Sequence, residues 1–137
     1  LQPMETVELA NEDGSTRTGF IMYSMGNFIS SQTTPPRNAS ILLNIELEKT
    51  GNDDAFIKKV SFVPIWTQFQ NADWKNHFVV RSVYEMLTLP QDQLNATVRS
   101  KDISRLKEIH FQTAKTLLNR DIPLEDIQDE YIFYEAA

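Results

Sequence analysis

Few residues in this chain have the chemistry of a catalytic or binding group, and the densest set lies between Phe20 and Gln32, reading F-I-M-Y-S-M-G-N-F-I-S-S-Q. An apolar, partly aromatic run ends there in a glycine and is followed by a polar tail. Asn27, Ser30 and Gln32 are the candidate substrate-binding residues, because a polar amide at the end of a buried strand is well placed to line a pocket. The competing reading is structural: Gly26 supplies a positive-φ turn and Asn27 caps the loop. Both readings stand on the residues alone.

The remaining reactive types are sparse. There is no cysteine, which removes disulfides, zinc–thiolate sites and thiol nucleophiles. The two histidines, His77 and His110, have no H-x-H or H-x-x-x-H spacing. His110 falls on the apolar face of an amphipathic stretch and reads as a packed, hydrogen-bonded core histidine rather than a ligand. No G-x-S-x-G elbow and no glycine-rich phosphate loop is present. Asp53-Asp54 and the acidic residues of 126–130 read as a solvated turn and tail. Trp66, Trp74, Phe62, Phe69 and Phe78 read as core and edge packing before ligand stacking. Asn38-Ala39-Ser40 and Asn95-Ala96-Thr97 match glycosylation triplets that arise readily by chance.

The elements that must position these residues follow from periodicity. Thr6–Leu9 and Gly19–Tyr23 flank an Asn11-Glu12-Asp13-Gly14 turn and form an expected hairpin. Thr33-Thr34-Pro35-Pro36-Arg37-Asn38 is a loop. Ile41–Glu48 alternates, with Leu43, Ile45 and Leu47 on one face and Asn44, Glu46 and Glu48 on the other. Phe56–Trp66 follows with Val60, Phe62, Pro64 and Trp66 sharing a face, and Pro64 marks a strand end at a sheet edge or bulge. His77–Tyr84 reads as a fifth strand, although Val83–Leu89 could also begin a helix. Ser100 then caps a helix through Leu118. Its stripe is Ile103, Leu106, His110, Thr113 and Leu117, with Asp102, Lys107, Glu108, Gln112 and Lys115 facing water. Asn119 and Pro123 stop it. The tail reads as a short helix with an extended end. The expected fold class is α+β, with four to five mainly antiparallel strands followed by a long amphipathic helix. The expected division is a β-rich part, 1–89, and a helical extension, 90–137.

The 137 residues suffice for a real core, and 41% hydrophobic with 23% charged residues is ordinary globular usage. A formal net charge of −6 with no basic cluster argues against nucleic acid as the main partner. No apolar run approaches the ~20 residues of a membrane span. The chain starts at Leu1 rather than Met, so the expectation is a piece of a longer reading frame.

Met22–Gln32 resembles the Y-S-L-G-N-F-I stretch of the CapA/PgsA family, bacterial proteins of capsule and poly-γ-glutamate biosynthesis. Leu1–Glu5 resembles the segment after that family's H-P-H-V run, and Ile57–Trp66 resembles its I-x-x-V-x-x-x-P-x-W strand. The likeness covers about residues 1–85. It implies the C-terminal part of a calcineurin-like metallophosphatase α/β sandwich, with Asn27 matching the asparagine of G-N-F. The family's G-D, N-H and H-P-H motifs, which would hold a divalent metal, would precede Leu1, so no ligand is carried over. The fragment alone is expected to bind no cofactor and to be inert. Implied partners are the N-terminal part of the same protein, the capsule or poly-γ-glutamate polymer, and synthase subunits. The implied location is extracellular, with the full-length parent anchored to the membrane. A sheet cut from its neighbours is expected to dimerise or exchange strands. The alternative reading is a non-catalytic surface module that binds polymer or a partner protein.

Overall fold

The computed structural model describes residues 1–29, 32, 34, 37–51, 54–69 and 77–137. Its elements run β1 (Met4–Ala10), β2 (Thr16–Met22), β3 (Ala39–Glu48), β4 (Phe56–Phe69), β5 (Phe78–Ser82), α1 (Val83–Thr88), α2 (Gln91–Thr97), α3 (Ser100–Leu118), a 3-10 turn (Leu124–Asp126) and β6 (Tyr131–Glu135). All strand pairs are antiparallel, and the class is α+β. β1 and β2 form the expected two-stranded hairpin, with Met4 opposite Met22 and Ala10 opposite Thr16.

β4 is the axis of the second sheet. β3 runs along one of its edges, and the other edge is shared by β6, opposite Lys59–Phe62, and β5, opposite Ile65–Phe69. Pro64 therefore does not end the strand as its ring would suggest. Thr67 donates its N–H to the Asn38 carbonyl on the β3 side, so by alternation the Pro64 nitrogen faces the opposite edge. It meets that edge in the gap between β6 and β5, where no ladder bond is required.

Apolar alternation along β4 buries Val60, Phe62 and Trp66 against the helices and the hairpin. One cluster joins Trp66 to Val83, Met86, Leu94, Leu106 and Ile109 beneath the three helices. A second joins Phe62 to Met4, Ile41, Leu117 and Tyr131. Phe62 and Tyr131 stack with ring centres 5.6 Å apart, so each adds a ring contact to the ~2–3 kcal/mol of burying a large apolar side chain. α3 supplies most of the buried helical residues; Leu106, Ile109, His110, Thr113 and Leu117 lie inward at helical spacing.

Several expectations are corrected. The fifth strand stops at Ser82, whose hydroxyl accepts from the Glu85 N–H at 3.2 Å and starts α1, so the helical option for Val83–Thr88 is the one the chain takes. A further short helix, α2, lies before α3. The α3 cap residue is Arg99, one position before Ser100, and it makes no side-chain cap bond. Asp102 is buried rather than facing water, because Arg99 Nε pairs with it at 2.8 Å. Ile45 and Leu47 lie on the expected face of β3 but remain exposed, Leu47 by 66%, since the far end of the β3–β4 hairpin projects past the core. The tail has a 3-10 turn instead of a helix, and its extended end enters the sheet as β6. The helix stop holds: Asn119 takes a left-handed φ of 52°. Among the described residues no helix is long and apolar enough to cross a membrane.

Candidate functional site

The loop after β2 is built around Gly26. Its φ is +82°, and a Cβ there would sit 2.4 Å from the Ala39 carbonyl oxygen, so both conformation and space demand glycine. That close approach lets Gly26 bridge to Ser40, while the Ser40 hydroxyl donates to the Met25 carbonyl at 2.6 Å. The Thr67 hydroxyl reaches across from β4 to donate to the Phe28 carbonyl. The segment is thus strapped to the start of β3 and the end of β4.

Asn27 is half-buried, and its amide donates to the Arg37 carbonyl at 2.9 Å and to Gln32 Oε1 at 3.1 Å. The two residues are therefore brought together, closing the loop across ten positions. Ser30, the third candidate, lies outside the described residues, as do Trp74 and Asp53. The Asn27 amide nitrogen is committed to holding the loop, which is the capping role weighed in the sequence.

The next residue after Arg37 continues the network into α3. Buried Asn38 accepts through Oδ1 from Arg105 Nε at 3.2 Å. Arg105 Nη1 donates to Glu108 at 3.0 Å and to Gln112 at 3.3 Å, while its Nη2 is buried without a partner among the described residues. A guanidinium with one unmatched donor is a costly thing to bury, and it persists here because three acceptors fix the rest of its fork. Sequence reasoning missed this residue. Arg105 lies one position before the stripe residue Leu106, and nothing local to it signals burial or the partner 67 positions away.

A second polar cluster lies on the opposite face of β4. The buried Ser61 hydroxyl and the Asn44 amide both donate to Glu130 Oε1, the latter at 2.9 Å. These donors hold the Glu130 carboxyl below the ordinary 4.5, against a smaller upward effect of burial. His110 is 1% exposed, and its Nε2 lies 2.7 Å from the Ile122 carbonyl; a carbonyl only accepts, so this nitrogen carries the proton. His110 is the hydrogen-bonded core histidine expected from its position.

Among the described residues the set around Asn27 includes two carboxamides and a main-chain carbonyl, with the Asn27 NH2 directed at the oxygens. Such a set does not fit a divalent cation. Among the described residues no three His, Asp or Glu side chains gather at metal-binding distance. The arrangement can position chain and present polar edges; among the described residues it holds no nucleophile–base pair. Comparison with known proteins yields no matching family model, no matching curated protein and no matching solved structure.

Proposed function

We propose that this chain is the C-terminal part of a CapA/PgsA-like protein of poly-γ-glutamate or capsule biosynthesis, metallophosphatase-like in fold. In this reading it supplies a wall of the cleft, through Asn27 and Gln32, and no catalytic group. The observation that carries the reading is the conformation of Gly26-Asn27-Phe28. Two of the residues that carry the resemblance are ones whose identity the loop depends on: glycine for the approach to Ala39, asparagine for the tie to Arg37.

A second feature supports it. Ile21, Tyr23, Met25, Phe28 and Ile29 all expose their side chains, Tyr23 by 58%, along the same stretch. A row of exposed large apolar groups on one segment is what a piece of a larger fold presents to its neighbour. Here that neighbour is the N-terminal part of the same protein, which carries the divalent-metal ligands; polymer and synthase subunits are further partners of the assembled parent. The parent faces outward from a membrane anchor, and the isolated piece dimerises or exchanges strands through the uncovered row.

The test has two arms. Reading the open frame upstream of Leu1 is expected to reveal the G-D, N-H and H-P-H motifs; a frame without them removes the enzyme reading and leaves a binding module. Calorimetric titration of the 137-residue chain with Mn²⁺ and Zn²⁺ is expected to give only background heat. Stoichiometric binding by this chain alone overturns the assignment of the metal to the N-terminal part.

A further inference from the structure

β6 is paired on one edge only, to β4, and among the described residues no strand pairs with its other edge. Beside it opens a groove of about 920 Å³, reached from the segment between the end of α3 and β6. Both Tyr131 and Ile132 line this groove. Of the five β6 residues only these first two line it, and neighbouring residues on a strand point to opposite faces, so the groove meets β6 at its leading end, where the unpaired edge begins. Ile122 and Ile127 complete an apolar lining with them, and Ile132 is 52% exposed.

The lining is charged as well as apolar. Asp121 and Asp126 face the groove with Arg120. Over residues 120–130 the chain carries five carboxylates (Asp121, Glu125, Asp126, Asp129, Glu130) against one cation, Arg120. Lys115 contacts Asp121 at 3.5 Å, but both side chains are exposed and such a pair is screened and weak. The lining itself carries two carboxylates and one cation, so its net charge is negative over an apolar floor at the start of an open strand edge. Two of these features alone would leave the occupant open. Together they select its chemistry: an extended backbone to continue the sheet, apolar side chains at alternate positions, and cationic ones between them.

We propose that this groove docks an extended segment of a partner protein in which Lys or Arg alternates with apolar residues, added as a strand to the open edge of β6. Its apolar side chains lie against Ile122, Ile127 and Ile132, and its cations face Asp121 and Asp126. This site lies apart from the Gly26–Asn27 loop and does not depend on the proposed parent protein.

The test uses the full 137-residue chain and a fluorescein-labelled hexapeptide of alternating Lys and Val, with the Glu–Val hexapeptide as control. Anisotropy is expected to show saturable binding of the Lys–Val peptide alone, weakening as salt is raised. Amide shifts in an NMR titration are expected to map to residues 118–135. The exposed double substitution Asp121→Asn/Asp126→Asn, and separately Ile132→Lys, each weaken binding at least tenfold while the amide spectrum elsewhere stays unchanged. The proposal is overturned by absence of saturation, by equal binding of the two peptides, by shifts centred elsewhere, or by unchanged affinity in the variants. It is equally overturned if the unliganded chain dimerises with protection confined to β6, since a second copy is then the occupant.

Discussion

The Cβ position of Gly26 lies 2.4 Å from the carbonyl oxygen of Ala39, closer than real Cβ atoms come to any neighbour. Gly26→Ala must therefore move backbone, not only strain φ. Gly14 provides the comparison: its φ is +84°, almost the same, yet nothing lies within 4 Å of its Cβ position. Gly14→Ala is expected to cost about 1 kcal/mol, the conformational term alone. Gly26→Ala is expected to cost at least ~2 kcal/mol more. Urea unfolding of both variants checks the difference, and equal losses would mean that the approach to Ala39 relaxes freely.

His110 and the Ile122 carbonyl hold the middle of α3 to the chain that turns back toward β6. His110→Ala removes a buried ring and leaves that carbonyl without its donor. The expected loss is about 2–4 kcal/mol, read from the denaturant midpoint at unchanged slope. His110→Gln, which can still donate, is expected to recover part of it. A loss below ~1 kcal/mol would show that the imidazole contributes neither packing nor a necessary bond.

How much of this was readable in advance depended on how far each residue's partner lay along the chain. β3 and β4 were legible as strands because Leu43, Ile45 and Leu47 on one, and Val60, Phe62, Pro64 and Trp66 on the other, keep a period of two. The tail's extended end was expected, but its place in the sheet as β6 was not, for Tyr131–Glu135 has no clean alternation and its partner, Lys59–Phe62, lies far upstream. Asp102 read as a surface residue because its position off the apolar stripe was visible and its contact with Arg99 was not. The Asn27 turn could be inferred from Gly26 and the polar tail. Its acceptor is a main-chain carbonyl, which has no sequence signature, and the continuation through Asn38 to Arg105 exists only once α3 packs against the loop.

Glu130 gives the fold a predictable response to acid. Its carboxyl is held below 4.5 by the Ser61 and Asn44 donors, so the folded state binds this proton less readily than the unfolded chain. The stabilising increment is therefore fully present above that value and is lost as pH falls through and below it. Glu130 is largely exposed, so the increment is discounted to ~0.5 kcal/mol at neutral pH. Glu130→Gln is expected to be less stable than the parent chain at pH 7, with the difference vanishing toward pH 3. A difference that grows on acidification would reverse the assigned sign.

Thr113 carries the opposite kind of opportunity. It is 1% exposed, and its hydroxyl has no partner among the described residues, so folding strips water from an oxygen and returns nothing. Valine has nearly the same shape and a comparable helix propensity, and it replaces that oxygen by a methyl at a buried position of α3. Thr113→Val is therefore expected to stabilise the chain by about 1 kcal/mol, raising Tm by roughly 3–5 °C. Thr113→Ser keeps the unpaired hydroxyl and deletes the methyl, so it is expected to fall by about 1 kcal/mol. The two shifts in opposite directions, measured by thermal melts, separate the cost of the oxygen from the value of the carbon. If Thr113→Val instead melts lower, the hydroxyl is satisfied in solution, by a buried water or by the carbonyl one turn back, and the oxygen belongs to the fold's hydrogen-bond network after all.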